Sequence, residues 1–293
     1  MLGFVSIVEF VVTDPVVRFE PASVLSPAEL TALWNKAYES YFVPLVFTEA
    51  ILSHHLRRAG VELDRSLIGR MDGELFGLSL VAMRGERAWI GGFGVAVAHR
   101  RKGLASQMMD EHMMRLDLAG VAETSLEVIS QNPARDVYRR AGFNERGEPL
   151  LALGGAPQAM SADTGVELDM PTLEEAHGRI AHRAPMTWRR DLPTLADDLK
   201  HGAQAFGVLR DGMVAGFAVV QEMAAQTALL DAAAADPEAG HALLDAIANR
   251  RPGRTLRLID EPEDSPLAQA MREAGFTAAL TQVEMVRPRG GGG

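Results

Sequence analysis

The chain repeats itself, and this repeat constrains the fold more than any other feature. Asp72-Gly73 stands between two apolar alternating stretches, 66–71 and 75–82. Asp211-Gly212 stands in the same way between 206–209 and 214–220. Arg100-x-x-Gly103-x-Ala105 is echoed by Pro237-x-x-Gly240-x-Ala242, and Arg139-Arg140-Ala141-Gly142-Phe143 by Arg272-Glu273-Ala274-Gly275-Phe276. The three landmarks keep their order at offsets of 139, 137 and 133 residues. At 293 residues the chain is long for one small α/β domain and sufficient for two. It reads as one α/β unit in tandem. The first unit is expected over 1–155 and the second over 165–289. Residues 156–164, rich in small residues and without periodicity, form the linker, and the glycines of 290–293 a flexible tail.

Within the first unit the apolar spacing predicts a helix over 27–41, opened by Ser26 and carrying Leu30, Leu33, Trp34 and Ala37 on one face. A second helix is expected over 49–59. A hairpin follows, tightened at Asp72-Gly73, then a strand over 89–97 whose Gly91 and Gly92 mark a bulge or a close approach to the backbone. Residues 104–118 read as an amphipathic helix, 125–130 as a strand, 133–141 as a helix stopped by Gly142, and the stretch after Phe143 as two short strands. Residues 1–12 are apolar but lack a basic leader and contain Glu9. They read as an extra edge strand, not a secretion signal, and a cytoplasmic location is expected.

Composition removes several function classes. With no cysteine, disulfides, thiolate-bound metals and an acyl-cysteine intermediate are excluded. A net charge of −10 argues against a nucleic-acid partner, and no stretch is long enough to cross a membrane. His54 and His55 are adjacent on a helix and point about 100° apart, so they cannot chelate one ion, and no metal is expected. A homodimer is compatible with these features.

The segment Val95-Ala96-Val97-Ala98-His99-Arg100-Arg101-Lys102-Gly103-Leu104-Ala105-Ser106 is a strand end, a basic loop and a helix start. The free N–H groups of a helix N-terminus carry partial positive charge. Gly103 and Ala105 leave room for a pyrophosphate to reach them, and Arg100, Arg101 and Lys102 surround it with cations. Taken alone, the segment also fits a solvated basic turn.

Arg-x-x-Gly-x-Ala between a strand and a helix is similar to the acetyl-CoA loop of the GCN5-related N-acetyltransferase (GNAT) family. A second motif follows: Gln131-Asn132-Pro133-Ala134, Val137-Tyr138 and Ala141-Gly142-Phe143 resemble that family's Asn-x-x-Ala-x-x-x-Tyr closed by Gly-Phe. The family's Asn lies seven residues before its Tyr; here Gln131 holds that position and Asn132 the next. The resemblance implies an α/β fold of the α+β type with two tandem GNAT-like domains, each a mixed, mostly antiparallel sheet flanked by helices. It implies acetyl-CoA as co-substrate, held by Val95, Ala96, Val97, Arg100, Arg101, Lys102, Gly103, Leu104, Ala105, Ser106, and Gln131 or Asn132. The pantetheine arm would lie in a splay between strands 89–97 and 125–130, paired with the backbone of Val95 and Val97. Tyr138 would be the general acid at the thioester sulfur. Glu127 is the candidate base, with Glu39 and Glu49 as other carboxylates near the acceptor, and Tyr38, Tyr41 and Phe42 shape the acceptor pocket.

In the second unit Pro237 stands for Arg100, acidic Asp236 and Glu238 flank it, and Met271 stands for Tyr138. That unit is expected to be degenerate and to pack on the first or close its acceptor pocket. The function expected is direct acetyl transfer from acetyl-CoA to a primary amine of a small molecule or peptide. The alternatives are a non-catalytic acyl-CoA sensor and, after mycothiol synthase, ligation to an amino-sugar or amino-thiol conjugate.

Overall fold

A computed structural model describes residues 15–180 and 186–290. The expected edge strand at 1–12 and the glycines after 290 lie outside the described residues. The first half runs β1 (Val17–Pro21), α1 (Pro27–Ala37), α2 (Glu49–Ala59), β2 (Leu67–Met71), β3 (Glu74–Arg84), β4 (Arg87–Val95), α3 (Leu104–Leu118), β5 (Glu123–Ile129), α4 (Arg135–Arg140) and β6 (Asn144–Gly155). The second half repeats this order: β7 (Gly165–Glu167), α5 (Met170–Ile180), α6 (Leu192–Lys200), β8 (Gln204–Arg210), β9 (Met213–Glu222), β10 (Thr227–Ala234), α7 (Pro237–Arg250), β11 (Leu256–Pro262), α8 (Pro266–Glu273) and β12 (Thr277–Pro288).

Local chemistry accounts for most boundaries. Ser26 and Glu29 form a reciprocal capping box at the start of α1, and Gly60 closes α2 with φ +70°. The Asp72-Gly73 and Asp211-Gly212 turns have positive φ at both residues (51° and 87°; 52° and 77°), the geometry that joins antiparallel strands by two residues. Trp34 and its helical partners Leu30 and Leu33 are buried against β2 and β3. Two short strands were expected after Phe143. The structure instead has one long strand, β6, interrupted only by bulges in its pairing with β12.

The α/β architecture with a mixed sheet and flanking helices is as expected, but the two halves do not keep separate sheets. One sheet of twelve strands runs β1-β2-β3-β4-β5-β12-β6-β11-β10-β9-β8-β7. β6 and β12 lie antiparallel at its centre. On their outer edges β12 pairs with β5 and β6 pairs with β11. Each half therefore gives its last strand to the other. Arg146 of β6 binds Glu123 and Glu284 across this junction at 2.9 Å each, and Arg287 of β12 binds Asp117 of α3.

A second junction is made by the short turn Trp188–Arg190. Trp188 stacks on Trp89 at 6.1 Å and 5°, donates its indole N–H to Ala59 O at 2.9 Å, and carries Arg84 over its ring at 4.0 Å. Asp198 of α6, buried, takes Arg58 of α2 at 2.8 Å. Among the described residues no helix is long and apolar enough to cross a membrane.

Candidate active site

β4 and β5 run parallel, but their pairing covers only Arg87↔Glu123, Ala88↔Thr124 and Trp89↔Ser125. Beyond Trp89 they splay apart. The bulge that starts the splay falls between Ile90 and Gly92, opposite Leu80 and Val81 of β3, so Gly91 is the extra residue. Its carbonyl faces His55, with Nε2 at 3.1 Å. Burial depresses His55 to about 4, so the ring is neutral and Nε2–H donates.

The splay opens into a cavity of about 250 Å³. All three tyrosines of the chain line it, Tyr38, Tyr41 and Tyr138, with two of its three tryptophans, Trp34 and Trp89. Phe47 and Phe93 add two more rings to this wall, and an aromatic lining of this kind suits a ligand pocket. Burial holds the Tyr138 hydroxyl well above the usual phenol range, so it remains a proton donor at every physiological pH. The Tyr38 hydroxyl accepts Phe93 N–H at 3.1 Å, leaving its own proton for another acceptor. Tyr41 accepts from Asn132 Nδ2 at 3.5 Å.

Glu127 projects from β5 into the same cavity, its side chain 2 % exposed. Oε2 accepts Trp89 Nε1–H at 2.9 Å and lies 3.6 Å from Arg189. Burial first, then the charge of Asp260, push its carboxyl up to about 7, against the pull of Arg189. Such a carboxylate is poised to take a proton near neutral pH. Arg189 is itself fixed by Asp260 at 3.0 and 3.1 Å. Ile259, Leu280 and Gln282 complete the floor from β11 and β12.

The loop from β4 to α3 differs from its sequence reading in three ways. The strand stops at Val95, and Val97 begins a single 3-10 turn, exposed. Arg100 turns inward: Nε donates to Val95 O at 2.9 Å, and Nη2 to Ala37 O and Glu39 O at 3.0 and 3.2 Å. It therefore clamps the loop to the end of α1 and occupies the Val95 carbonyl that was expected to pair with pantetheine. Gly103 has φ +77° and is the N-cap of α3, so its conformation as well as its bareness calls for glycine. Arg101 and Lys102 are exposed, and α3 has no side-chain cap on its first N–H groups. Leu104 is buried beneath, with Ala105 and Ser106 half-exposed on the first turn. A diphosphate fits this geometry, with Ala96 buried at the base of the loop.

Of the remaining expected residues, Asn132 lines the cavity and holds Ala134 N–H at 2.9 Å, whereas Gln131 is exposed and outside it. Phe42 rests against Tyr41 at 5.4 Å, 46 % exposed, without lining the cavity. Glu39 and Glu49 are also outside it. Residues not anticipated are Trp34, read as core, and Phe47, His55, Arg189 and Gln282. The described residues hold no cluster of His, Asp or Glu able to bind a metal.

In the second half the corresponding cleft is reduced to a cavity of about 140 Å³ beside Leu229, Ile259 and Asp260. β10 and β11 also pair briefly and then splay, at Leu229↔Leu258, but Arg190 fills the gap. It is 2 % exposed and bonds Asp231 and Glu261 at 2.6 Å and the carbonyls of Asp260 and Ala232 at 2.7 Å. The strand-to-helix loop, 96–103 in the first half, shrinks to 235–236. Gly240 is therefore not the counterpart of Gly103. It lies inside α7, where a Cβ would meet Ala270 Cβ at 2.7 Å. Asp236 caps that helix through Ala239 N–H and is paired with Arg210.

Residues 38–162 match the family model of the acetyltransferase (GNAT) domain. Over 94 % of its length the chain is similar to a GCN5-related N-acetyltransferase from Sphaerobacter thermophilus (16 % identity, TM-score 0.68, 96 % of that chain). Over 95 % it is similar to a tandem GNAT protein from the clavulanic acid biosynthesis pathway (16 %, TM-score 0.65, 100 %). Over 94 % it is similar to a GCN5-related N-acetyltransferase from Anabaena variabilis (12 %, TM-score 0.64, 73 %). At these identities the likeness is one of fold. No curated protein matches the chain in sequence.

Proposed function

We propose that this chain, a tandem member of the GCN5-related N-acetyltransferase family, transfers the acetyl group of acetyl-CoA directly to a primary amine in the cavity of its first half. The observation that carries this reading is the convergence of Glu127, Tyr138 and the β4–β5 splay on one cavity. Bound acetyl-CoA supplies the activated acyl group. Arg101, Lys102 and the uncapped turn of α3 at Leu104, Ala105 and Ser106 hold its diphosphate, while Arg100 fixes the loop. Asn132 and the free edge of β4 orient the arm.

Glu127 takes the proton of the ammonium acceptor, and the amine nitrogen forms its bond to the carbonyl carbon as the carbon–sulfur bond breaks. Tyr138 gives its proton to the departing sulfur and regains one from the newly acylated nitrogen, leaving a neutral amide and a free thiol. Much of the acceleration comes from holding both reactants in a dry, aromatic enclosure. The second half lends Arg189 and the floor residues and carries no chemistry of its own: Met271 stands where Tyr138 does, and Arg190 occupies its cleft.

Thiol release from acetyl-CoA, followed over a panel of alkylamines, amino acids, amino-acid amides, aminoglycosides and peptides, tests the reading. Amine-dependent release supports it. Tight binding of acetyl-CoA with no release for any amine would assign the protein to sensing instead.

A further inference from the structure

The small cavity at the second splay adjoins the larger one of the first half. Arg189, Arg257 and Ile259 line both, so the two spaces meet along these three side chains. Among the described residues the smaller cavity, about 140 Å³, is walled by four arginines and one carboxylate, that of Asp260. Three of the arginines are matched. Arg58 is held by Asp198 at 2.8 Å, Arg190 by Asp231 and Glu261 at 2.6 Å, and Arg189 by Asp260 at 3.0 Å. Asp260 is fully engaged, because its oxygens also accept from Thr187 Oγ1 and Gln282 Nε2.

Arg257 is the fourth, and among the described residues it has neither an ion pair nor a hydrogen bond. It is half-buried, and none of its nitrogens is among the buried side-chain atoms that lack a partner, so its unbonded guanidinium keeps accessible surface. Leu256 and Leu258 are buried in the core of the second half, so by alternation Arg257 projects from the other face of β11. Its neighbours across the ladders are Ala228 and Gly154, which neither neutralise nor cover it. The pairs Arg257↔Gly154, Ala152↔Leu280 and Gln282↔Ile129, joined by two-residue steps, put Arg257 and Glu127 on one face of the sheet. Three strand spacings of about 4.8 Å separate β5 from β11, so the two Cα atoms stand at least about 14 Å apart. An accessible guanidinium without a partner is a receptor for anionic oxygens. Its single uncompensated charge matches a carboxylate, whereas a phosphate dianion would leave excess negative charge beside Asp260.

We propose that the acceptor is an elongated primary amine with a carboxylate at its far end, as in an ω-amino acid or a short peptide with a free C-terminus. Arg257 holds the carboxylate where the two cavities meet. The reduced cleft of the second half then serves the first half as an anion subsite. This assignment rests on the acetyl-transfer reading above and narrows it to one substrate class.

The test compares three acids, glycine, 8-aminooctanoate and triglycine, each with its own amide, by thiol release from acetyl-CoA. For 8-aminooctanoate or triglycine the acid should exceed its amide by about tenfold or more in kcat/KM, the worth of one charge-assisted hydrogen bond. Glycine, too short to reach from Glu127 to Arg257, should show no such preference. The preference should reside in KM and vanish in Arg257→Gln. The comparison of acids with amides uses the unaltered protein, so it stands even where that variant fails to fold. Amides turned over as well as both long acids, an equal preference for glycine, or a preference that survives in Arg257→Gln would overturn the subsite while leaving acetyl transfer standing. Release with the wider amine panel but with none of these amines would do the same. Faster turnover of 8-aminooctyl phosphate than of 8-aminooctanoate would overturn the carboxylate assignment. No release with any amine would remove both readings together.

Discussion

Glu127 and Asp260 stand at corresponding points of β5 and β11, 133 residues apart, and both reach the guanidinium of Arg189, at 3.6 and 3.0 Å. The carboxylate proposed as base in one half is thus balanced by its own counterpart in the other. Asp260 adds negative charge beside Glu127 and also anchors the arginine that tempers it. The basicity of the first half's site is set partly by residues of the second.

The rate should therefore rise with pH through about 7, the value to which Glu127 is pushed, and level off above it, because only the ionised carboxylate accepts a proton. Glu127→Gln should lower kcat by about 10²–10⁴-fold and abolish that limb. A pH profile of kcat under saturating amine checks both; an unchanged limb in the variant would assign it to another group.

Stability should move the opposite way. The folded pKa of Glu127 lies above its ordinary 4.5, so between these two values the native state binds more protons than the unfolded chain. Stability from this group is present below about 4.5 and lost as pH rises to about 7. At pH 8 Glu127→Gln should stabilise the fold by about 1–3 kcal/mol, a gain that shrinks towards pH 5. Denaturant titrations at the two pH values measure it, and destabilisation at pH 8 would contradict the buried-charge account.

Tyr138→Phe should lower kcat by about ten- to a thousandfold while leaving acetyl-CoA affinity nearly unchanged, since the hydroxyl is needed only when sulfur departs. The ring contacts with Phe93 and Phe143 (5.7 and 6.1 Å) are retained in the variant. Single-turnover kinetics with a binding titration separates the two effects.

Each chain should bind one acetyl-CoA. Arg190 fills the second splay, and the loop that would cradle a diphosphate is shortened there to two residues, 235 and 236. Native mass spectrometry counts the ligand directly, and two per chain would overturn this picture. Arg190→Met should cost about 3–5 kcal/mol, because buried Glu261 would lose its counter-charge and Asp231 would keep only His177, at 3.4 Å. Thermal denaturation reads that loss.

The architecture was legible where short-range chemistry decides it. Ser26, the Asp-Gly turns, Gly60 and the α3 stripe announced the elements of the first half, and the repeat announced the second. The site was legible where a motif is contiguous, as for Tyr138 and the 100–106 loop. It was not legible where separation in sequence hides contact. Gln282 reaches the cavity only because β12 pairs with β5, placing it opposite Ile129. The echo of Gly103 in Gly240 was misleading because the second loop is six residues shorter, so the same spacing falls inside α7. Trp34 looked like core because its helical spacing is that of core, and it is both: it packs with Leu30 and Leu33 and lines the cavity.

The exchange of β6 and β12 also bears on how the protein is made. At a synthesis rate of about 5–20 residues per second, roughly ten to thirty seconds separate the emergence of Ile129 from that of Gln282, its partner across the ladder. For most of that interval the nascent first half exposes an unpaired edge on β5 and carries a β6 strand whose neighbours, β11 and β12, are still to be translated. The cavity between β4 and β5, floored by β11 and β12, is thus a late product of translation, and a ribosome stalled within the second half would display an unpaired strand edge, a target for chaperones.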